Sequence, residues 1–413
     1  MTWQLERTCA KGRVAEIQLS CGRALVFEHA RDVPMEFWAR GFSDTPKDFQ
    51  YYELVEQTMG SAFEYRYLAV FDQTNRPVAL QPLVLTTQDL AVSASEALVR
   101  FVAKLRTLWP RFCQSRMALA GCLVGEGETG AIESLEVAIP LVAEALEKYA
   151  RDQDISLVAF KDFSTKMRHA FSYLSRSGYA RVAGFPPLAL ELNFASFDEY
   201  MAMQLSRATR KNLRRKFRAA ENASPPLALE VWINAEQIID EIYPLYLAVA
   251  QTSAIRFEVF TREYFLEAGR CAPGKFRYFI WRQGSRAVAF SFCTIWNGTL
   301  YDNDIGLDYT VAYELNLYYV TFRDLLNWAL SNGLRRYASA PFSYDPKLRL
   351  RLQLQPVDVY VKHTSPWLNP LIKVLALLFE PARTDPVLRR QLHLLRCFKK
   401  RGNFCSIHGS SSS

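Results

Sequence analysis

An α/β fold in two domains is predicted for this chain, each domain a mixed central sheet flanked by helices. Three observations lead there. Strand-like and helix-like segments alternate along most of the sequence, the pattern of layered α/β proteins. At 413 residues the chain exceeds one ordinary domain. The two halves also repeat one order of elements, a hairpin, a long helix and then a strand, as an internal duplication would.

The elements follow in order. YRYLAVF (65–71) and VALQPLVL (78–85) are β-rich runs joined by the turn-forming DQTNRP, a hairpin signal. Residues 95–106 are helix-like, and MALAG (117–121) is a short strand. A long helix is expected over 132–152, where Leu135, Ile139, Val142, Leu146 and Tyr149 recur at helical spacing around an internal Pro140. SLVAFKDF (156–163) is the next strand. A helix at 165–177 stops at Gly178, and 179–193 returns extended. The second unit opens near Ser196 with a helix to Glu221 that Pro225–Pro226 forbids from continuing. A strand at 227–233 and helices at 236–252 and 260–269 follow. A hairpin turns at Gly284–Ser285, residues 299–308 form a further strand, a helix runs over 312–331 to Gly333, and 335–340 is the last strand. The boundaries expected are 1–195, 196–360 and a helical, basic tail at 361–413.

Composition narrows the class. Half of the residues are hydrophobic, enough for two cores and too many for a disordered chain. The net charge of +8 is concentrated. Arg207, Arg210, Lys211, Arg214, Arg215, Lys216 and Arg218 crowd one helix without an acid, and Arg389, Arg390, Arg396, Lys399, Lys400 and Arg401 crowd the tail. Such patches suit an anionic partner, though solvated helix faces also carry them. The eight cysteines show no CxxC pair and the five histidines no ligand spacing, so no metal is expected. No secretory leader and no membrane span is read, which places the protein in the cytoplasm or peripherally on the inner membrane. The Pro-bracketed apolar piece at 366–381 is expected to dock on the protein's own core in preference to a membrane interface. Neither GxSxG nor a Walker loop occurs, against serine hydrolysis and P-loop chemistry.

Three blocks carry a family likeness: LSRATRKNLRRKFRAAE at 205–221, YDNDIGLDYTVAYELNLY at 301–318 and SYDPKLRL at 343–350. Over 196–350 the chain resembles a bacterial branch of tandem GNAT proteins. That branch includes Fem-type peptidoglycan aminoacyl transferases and acetyltransferase-like proteins tied to capsule, cellulose or lipid assembly. The resemblance implies two tandem GNAT-like domains. It also implies a donor thiol arm lying between two splayed parallel strands, and direct attack by an amine. Acetyl-CoA users of the superfamily have a glycine-bearing turn before the central helix, whose N–H groups hold pyrophosphate. The matching DYTVAYELN has no glycine, which favours a donor held differently, such as an acyl carrier protein or an aminoacyl-tRNA.

Candidate site residues follow from chemistry. On a regular strand Asp302 and Asp304 share a face, about 6–7 Å apart, where a carboxylate can bind and deprotonate an ammonium. A structural ion pair is the competing account. Tyr301 and Asn303 would face away. Tyr344 and Lys347 match a Tyr-x-x-Lys that the resemblance places in the cleft. Tyr344 would protonate a leaving group and Lys347 would meet a phosphate or Asp302, against the plainer reading of surface loop residues. Tyr318 sits one turn beyond Glu314, and both are candidates for nothing more than helix-end chemistry, though Tyr318 is kept as substrate-binding with Tyr301. Arg207, Arg210 and Arg214 form the polar face of a helix whose inner face is Leu205, Thr209, Leu213 and Phe217, suited to gripping phosphate.

The function expected is N-acyl transfer from acyl-CoA or acyl carrier protein, without a metal, to an amine on a lipid or envelope precursor, a sphingoid-type base among them. One alternative is a Fem-type transferase using aminoacyl-tRNA, against which the missing coiled-coil arm between 221 and 300 counts. The other is a catalytically inert GNAT-shaped binding module with no acyl donor.

Overall fold

The computed structural model describes residues 12–396, apart from 61–62, 90–99, 101–102, 105, 108–113, 123–124, 253–258 and 379. Most of the helix expected at 95–106 and the last cationic cluster (Lys399, Lys400, Arg401) lie outside the described residues.

Two sheets organise the chain. The first contains β1 (Arg13–Leu19), β2 (Gly22–Phe27), β3 (Glu64–Phe71), β4 (Pro77–Asp89), β5 (Gln114–Ala120), β6 (Gly130–Ala131), β7 (Leu157–Ser164) and β8 (Ala180–Ala183). The second contains β9 (Leu188–Glu191), β10 (Leu227–Trp232), β11 (Phe276–Gln283), β12 (Arg286–Trp296), β13 (Thr299–Leu307), β14 (Arg336–Ser339) and β15 (Gln353–Leu354). β16 (Val357–His363) goes back to the first sheet, between β7 and β8. Among the described residues each sheet has one parallel pair, β5 with β7 and β13 with β14, and antiparallel neighbours elsewhere. A long helix links each parallel pair, as a same-direction crossover demands.

The helices are α1 (Met35–Gly41), α2 (Phe49–Met59), α3 (Leu135–Asp152), α4 (Ser172–Arg176), α5 (Phe197–Gln204), α6 (Arg207–Glu221), α7 (Ile239–Thr252), α8 (Arg262–Cys271), α9 (Leu317–Ser331), α10 (Tyr344–Arg349), α11 (Asn369–Leu378), α12 (Pro381–Thr384), α13 (Pro386–Arg390) and α14 (Leu392–Arg396). The helix expected over 197–221 is two helices. Leu205 is extended and Ser206 starts α6, its Oγ accepting from the Thr209 N–H at 3.2 Å. The helix expected from 312 begins at Leu317, after Asn316 adopts a left-handed backbone (φ 52°).

One core is common to both halves. Trp38, Tyr52 and Tyr67 from the first half pack in the same cluster as Ile242, Phe265 and Phe292 from the second. A second core joins α5, α6, α9 and the C-terminal helices to the other face of the second sheet. α3 covers the first sheet over a third. The sheets do not divide at residue 195. β9 pairs into the second sheet from 188, and residues 357–363 return to the first.

The piece at 366–381 departs from expectation. α11 rests on β8 and β16, yet Asn369 is its only buried residue among those described.

Candidate active site

β13 lies in the middle of the second sheet. On one edge it pairs with β12 along its whole length, from Trp296↔Thr299 to Ala289↔Leu307. On the other edge it pairs with β14 only from Thr299↔Arg336 to Asp302↔Ser339. The last bond across that seam is from the Ala340 N–H to the Asp302 carbonyl, at 3.2 Å. Past it β14 gives way to α10, and among the described residues no strand pairs with that edge of β13 beyond Asp302, so the parallel strands part there.

The register of β13 against β12 slips at the same place. Phe292 opposes Asp304 and Cys293 opposes Asp302, leaving Asn303 as an extra residue. A bulge of this kind breaks the two-residue period of a strand. Asp302 therefore shares a face with Cys293 and the second core, whereas Asp304 shares the opposite face with Phe292 and the common core. The expectation that both carboxylates line one face is corrected: the bulge separates them. Asp304 acts electrostatically on Tyr264 instead. Asn303, on the Asp304 side, donates to Thr294 Oγ1 at 2.7 Å.

Asp302 is held tightly. Ser291 Oγ donates to one carboxylate oxygen and the Tyr337 hydroxyl to the other at 2.6 Å. Burial raises the Asp302 pKa, against the lowering effect of those two hydrogen bonds and of the Lys347 charge. Lys347 is buried and donates to the Ala340 carbonyl at 2.6 Å. Burial drops its pKa to about 8, with Asp302 pulling the other way. Tyr318, in the first turn of α9, and Tyr337 are both pushed up by burial and next by the Asp302 charge. The turn that delivers Lys347 is strained. Phe342 and Ser343 have φ values of 74° and 50°, left-handed backbone that side chains disfavour and that clusters at functional sites.

Four expected residues are thus sorted by the fold. Asp302, Tyr318 and Lys347 converge. Tyr344 does not join them: it is sealed in the second core, and the charges acting on its hydroxyl are those of Asp385 and Asp162. Tyr301 faces away from Asp302, opposite Thr294, and lines a pocket of about 380 Å³ with Asp44, Glu128, Trp296 and Arg336. Arg207, Arg210 and Arg214 line a different groove of about 320 Å³, with Lys211 and Arg218. Arg210 is tied back to the carbonyls of Ala202 and Leu205 at 3.0 and 3.2 Å. Ser291 and Tyr337 were not legible as site residues, because each sits in an ordinary β-rich run.

The loop between β13 and α9 carries its own charge pattern. Asp308 pairs with Arg286 and caps the Thr310 N–H at 3.0 Å. Tyr313 and Glu314 are exposed beyond it. The cations lie on α6, not here.

Residues 207–341 match the family model described as an acetyltransferase (GNAT) domain. That segment is a GNAT domain. It contains the parted strands, Asp302, Tyr318, Tyr337 and the α6 arginines; Lys347 lies just past it. No curated protein matches the chain significantly. Among solved structures, FemX is 9% identical and matches 87% of this chain and 100% of its own, with a TM-score of 0.52. A tandem GNAT protein from the clavulanic acid biosynthesis pathway is 11% identical, over 85% of this chain and 99% of its own, at 0.47. The C-terminal domain of a putative lysylphosphatidylglycerol synthetase from Agrobacterium fabrum is 12% identical, over 83% and 95%, at 0.48. The FemX likeness speaks to the fold alone. With the two sheets and their flanking helices it bears out the mixed α/β architecture expected from sequence, with a match to the GNAT domain model in the second half.

Proposed function

We propose that the protein is an N-acyltransferase that moves an acyl group from a thioester, acyl-CoA or acyl carrier protein, to an amine on a lipid or envelope precursor. The observation that carries this reading is the parting of β13 and β14 at Asp302. Beyond that point β13 has no strand neighbour on the β14 side among the described residues, which leaves room for an extended donor arm, and a hydrogen-bonded carboxylate stands where the arm would end. The amine nitrogen attacks the thioester carbonyl, and Asp302 takes the proton it sheds. The C–S bond breaks, and the departing thiolate receives a proton from Lys347. A lysine near 8 is matched to a thiol near 8.5. Ser291 and Tyr337 keep Asp302 oriented.

The charge pattern favours a carrier-bound donor. The loop before α9, DYTVAYELN, carries no Lys or Arg to hold a pyrophosphate, whereas five cationic side chains line the α6 groove. That groove also supports a second reading, aminoacyl transfer from tRNA, in which binding would weaken steeply with salt. The acceptor class is read from resemblance, and a long-chain sphingoid-type base fits it.

The test is expression of the wild type and of Asp302→Asn in a bacterial host, with mass spectrometry of lipid and envelope extracts. A new amide-linked species is expected with the wild type only. Identical extracts, or a species that persists in a folded Asp302→Asn variant, would sink the proposal in favour of an inert module or a different base.

A further inference from the structure

Among the described residues nothing covers the apolar face of α11. Leu371, Val374, Leu377 and Leu378 are 54%, 55%, 48% and 62% exposed, and just before the helix Trp367 is 92% exposed and Leu368 48%. At 100° per residue the four helical ones fall within an arc of about 120°. The opposite side rests on β8 and β16. Anchorage is firm: Asn369 donates to the Gly178 carbonyl and accepts from the His363 N–H, both at 2.9 Å. A scattered exposed leucine needs no explanation, whereas a contiguous apolar face marks an interaction site.

Charge decides what covers it. From 359 to 396 the cations are Lys362, Lys373, Arg383, Arg389, Arg390 and Arg396, and the acids are Glu380 and Asp385. Glu380 is fully buried and spent on Arg383 and Arg396. Asp385 accepts from the Val387 and Leu388 N–H groups. Arg389 and Arg390 stand exposed. The segment is thus apolar on its exposed face, carries more cations than acids along its sequence, and is bordered by an exposed tryptophan. Those features match the headgroup boundary of an anionic bilayer, where indole rings and cations settle beside buried aliphatic side chains. α11 spans Asn369–Leu378, too short to cross, and no helix among the described residues is long and apolar enough to do so.

We infer that α11 and Trp367 form an interfacial anchor that seats the protein on anionic lipid, with the helix lying in the membrane plane. The proposal is independent of the chemistry assigned to Asp302.

Sedimentation of the purified full chain with vesicles tests it. Vesicles of equimolar phosphatidylglycerol and phosphatidylcholine should pellet the wild type, less so as salt rises, and pure phosphatidylcholine should bind at least about tenfold less. Leu371→Glu/Val374→Glu/Leu378→Glu should lose about tenfold or more of the binding to anionic vesicles without changing the melting temperature, because these side chains touch little. Val137→Glu, at an exposed site on α3, should bind as the wild type does. Wild type left in the supernatant, or a triple variant that binds unchanged, overturns the anchor. So does a lipid-free dimer that the triple variant turns into monomers, since a second copy would then cover the face. Asp302→Asn should pellet like the wild type, so that failure here and failure of the transferase reading are told apart.

Discussion

Asp302 concentrates the chemistry of the second half, and its neighbours say how to test it. Asn keeps one acceptor oxygen for one of the two hydroxyls, its NH2 can donate to the other once that hydroxyl turns to accept, and it cannot take a proton. Asp302→Asn is expected to lower kcat/KM about 10²–10⁴-fold while the melting curve stays close to that of the wild type. Asp304→Asn, across the bulge, should leave kcat within about threefold, measured in the same assay. Lys347 predicts the pH profile. Activity should rise as the raised Asp302 carboxyl ionises and fall above pH about 8, where Lys347 loses its proton. Lys347→Met should lose that alkaline fall along with most of the rate. Stability obeys a definite sign. Folding lowers the lysine from its ordinary 10.5 to about 8. Between those values the unfolded chain holds a proton that the folded chain has released. The wild type should therefore gain stability relative to Lys347→Met as pH climbs through that window, by about 3 kcal/mol in all. Denaturant titrations at stepped pH measure it. Tyr344 shows how a motif misleads: one turn of α10 before Lys347, it points into the core.

At the level of single elements, the bulge in β13 and the break before α6 settle what faces what. A regular strand would have put Asp302 and Asp304 together; one extra residue, Asn303, parts them. Its signal is absent from the sequence, because Asn303 lies among polar neighbours and no glycine marks the bulge. The basic helix, in contrast, was legible. Leu213 and Phe217 go inward and Arg207 and Arg214 outward, as periodicity required. Arg207→Ala/Arg214→Ala should raise KM for a carrier-bound donor at least about fivefold and flatten its salt dependence, with kcat little changed. Steady-state kinetics at several ionic strengths read both. α11 was read as an apolar helix docked on the chain; it does rest on β8 and β16, but composition does not say how much of its apolar surface the rest of the chain leaves exposed.

The whole molecule is bound together by an exchange of strands. β16, from the end of the chain, sits between β7 and β8 of the first sheet, and β9, from before the second unit, sits between β14 and β15 of the second. Neither half can then complete its sheet alone. Residues 1–195 expressed by themselves should be insoluble or lack a cooperative unfolding transition, whereas the full chain unfolds as one unit; circular dichroism and denaturant titration decide between them. The exchanged strand is pinned by a buried ion pair. Arg168 bonds Asp358 of β16 through Nε and Nη2, at 2.5 and 2.7 Å, and the Leu395 carbonyl at 2.7 Å. Arg168→Met strands that carboxylate and should cost about 3–5 kcal/mol of stability, read from the shift in denaturation midpoint.

Local patterns were enough for the class of fold, for much of the order of strands and helices between residues 65 and 340, and for the basic helix, because periodicity and residue chemistry act over a few neighbours. The parting of β13 from β14, the face on which each carboxylate points, the burial of Tyr344, the trade of β9 and β16 between sheets and the exposure of α11 belonged to tertiary structure. Each depends on which distant segment comes to lie alongside, and strand pairing between residues far apart leaves no mark on either strand by itself.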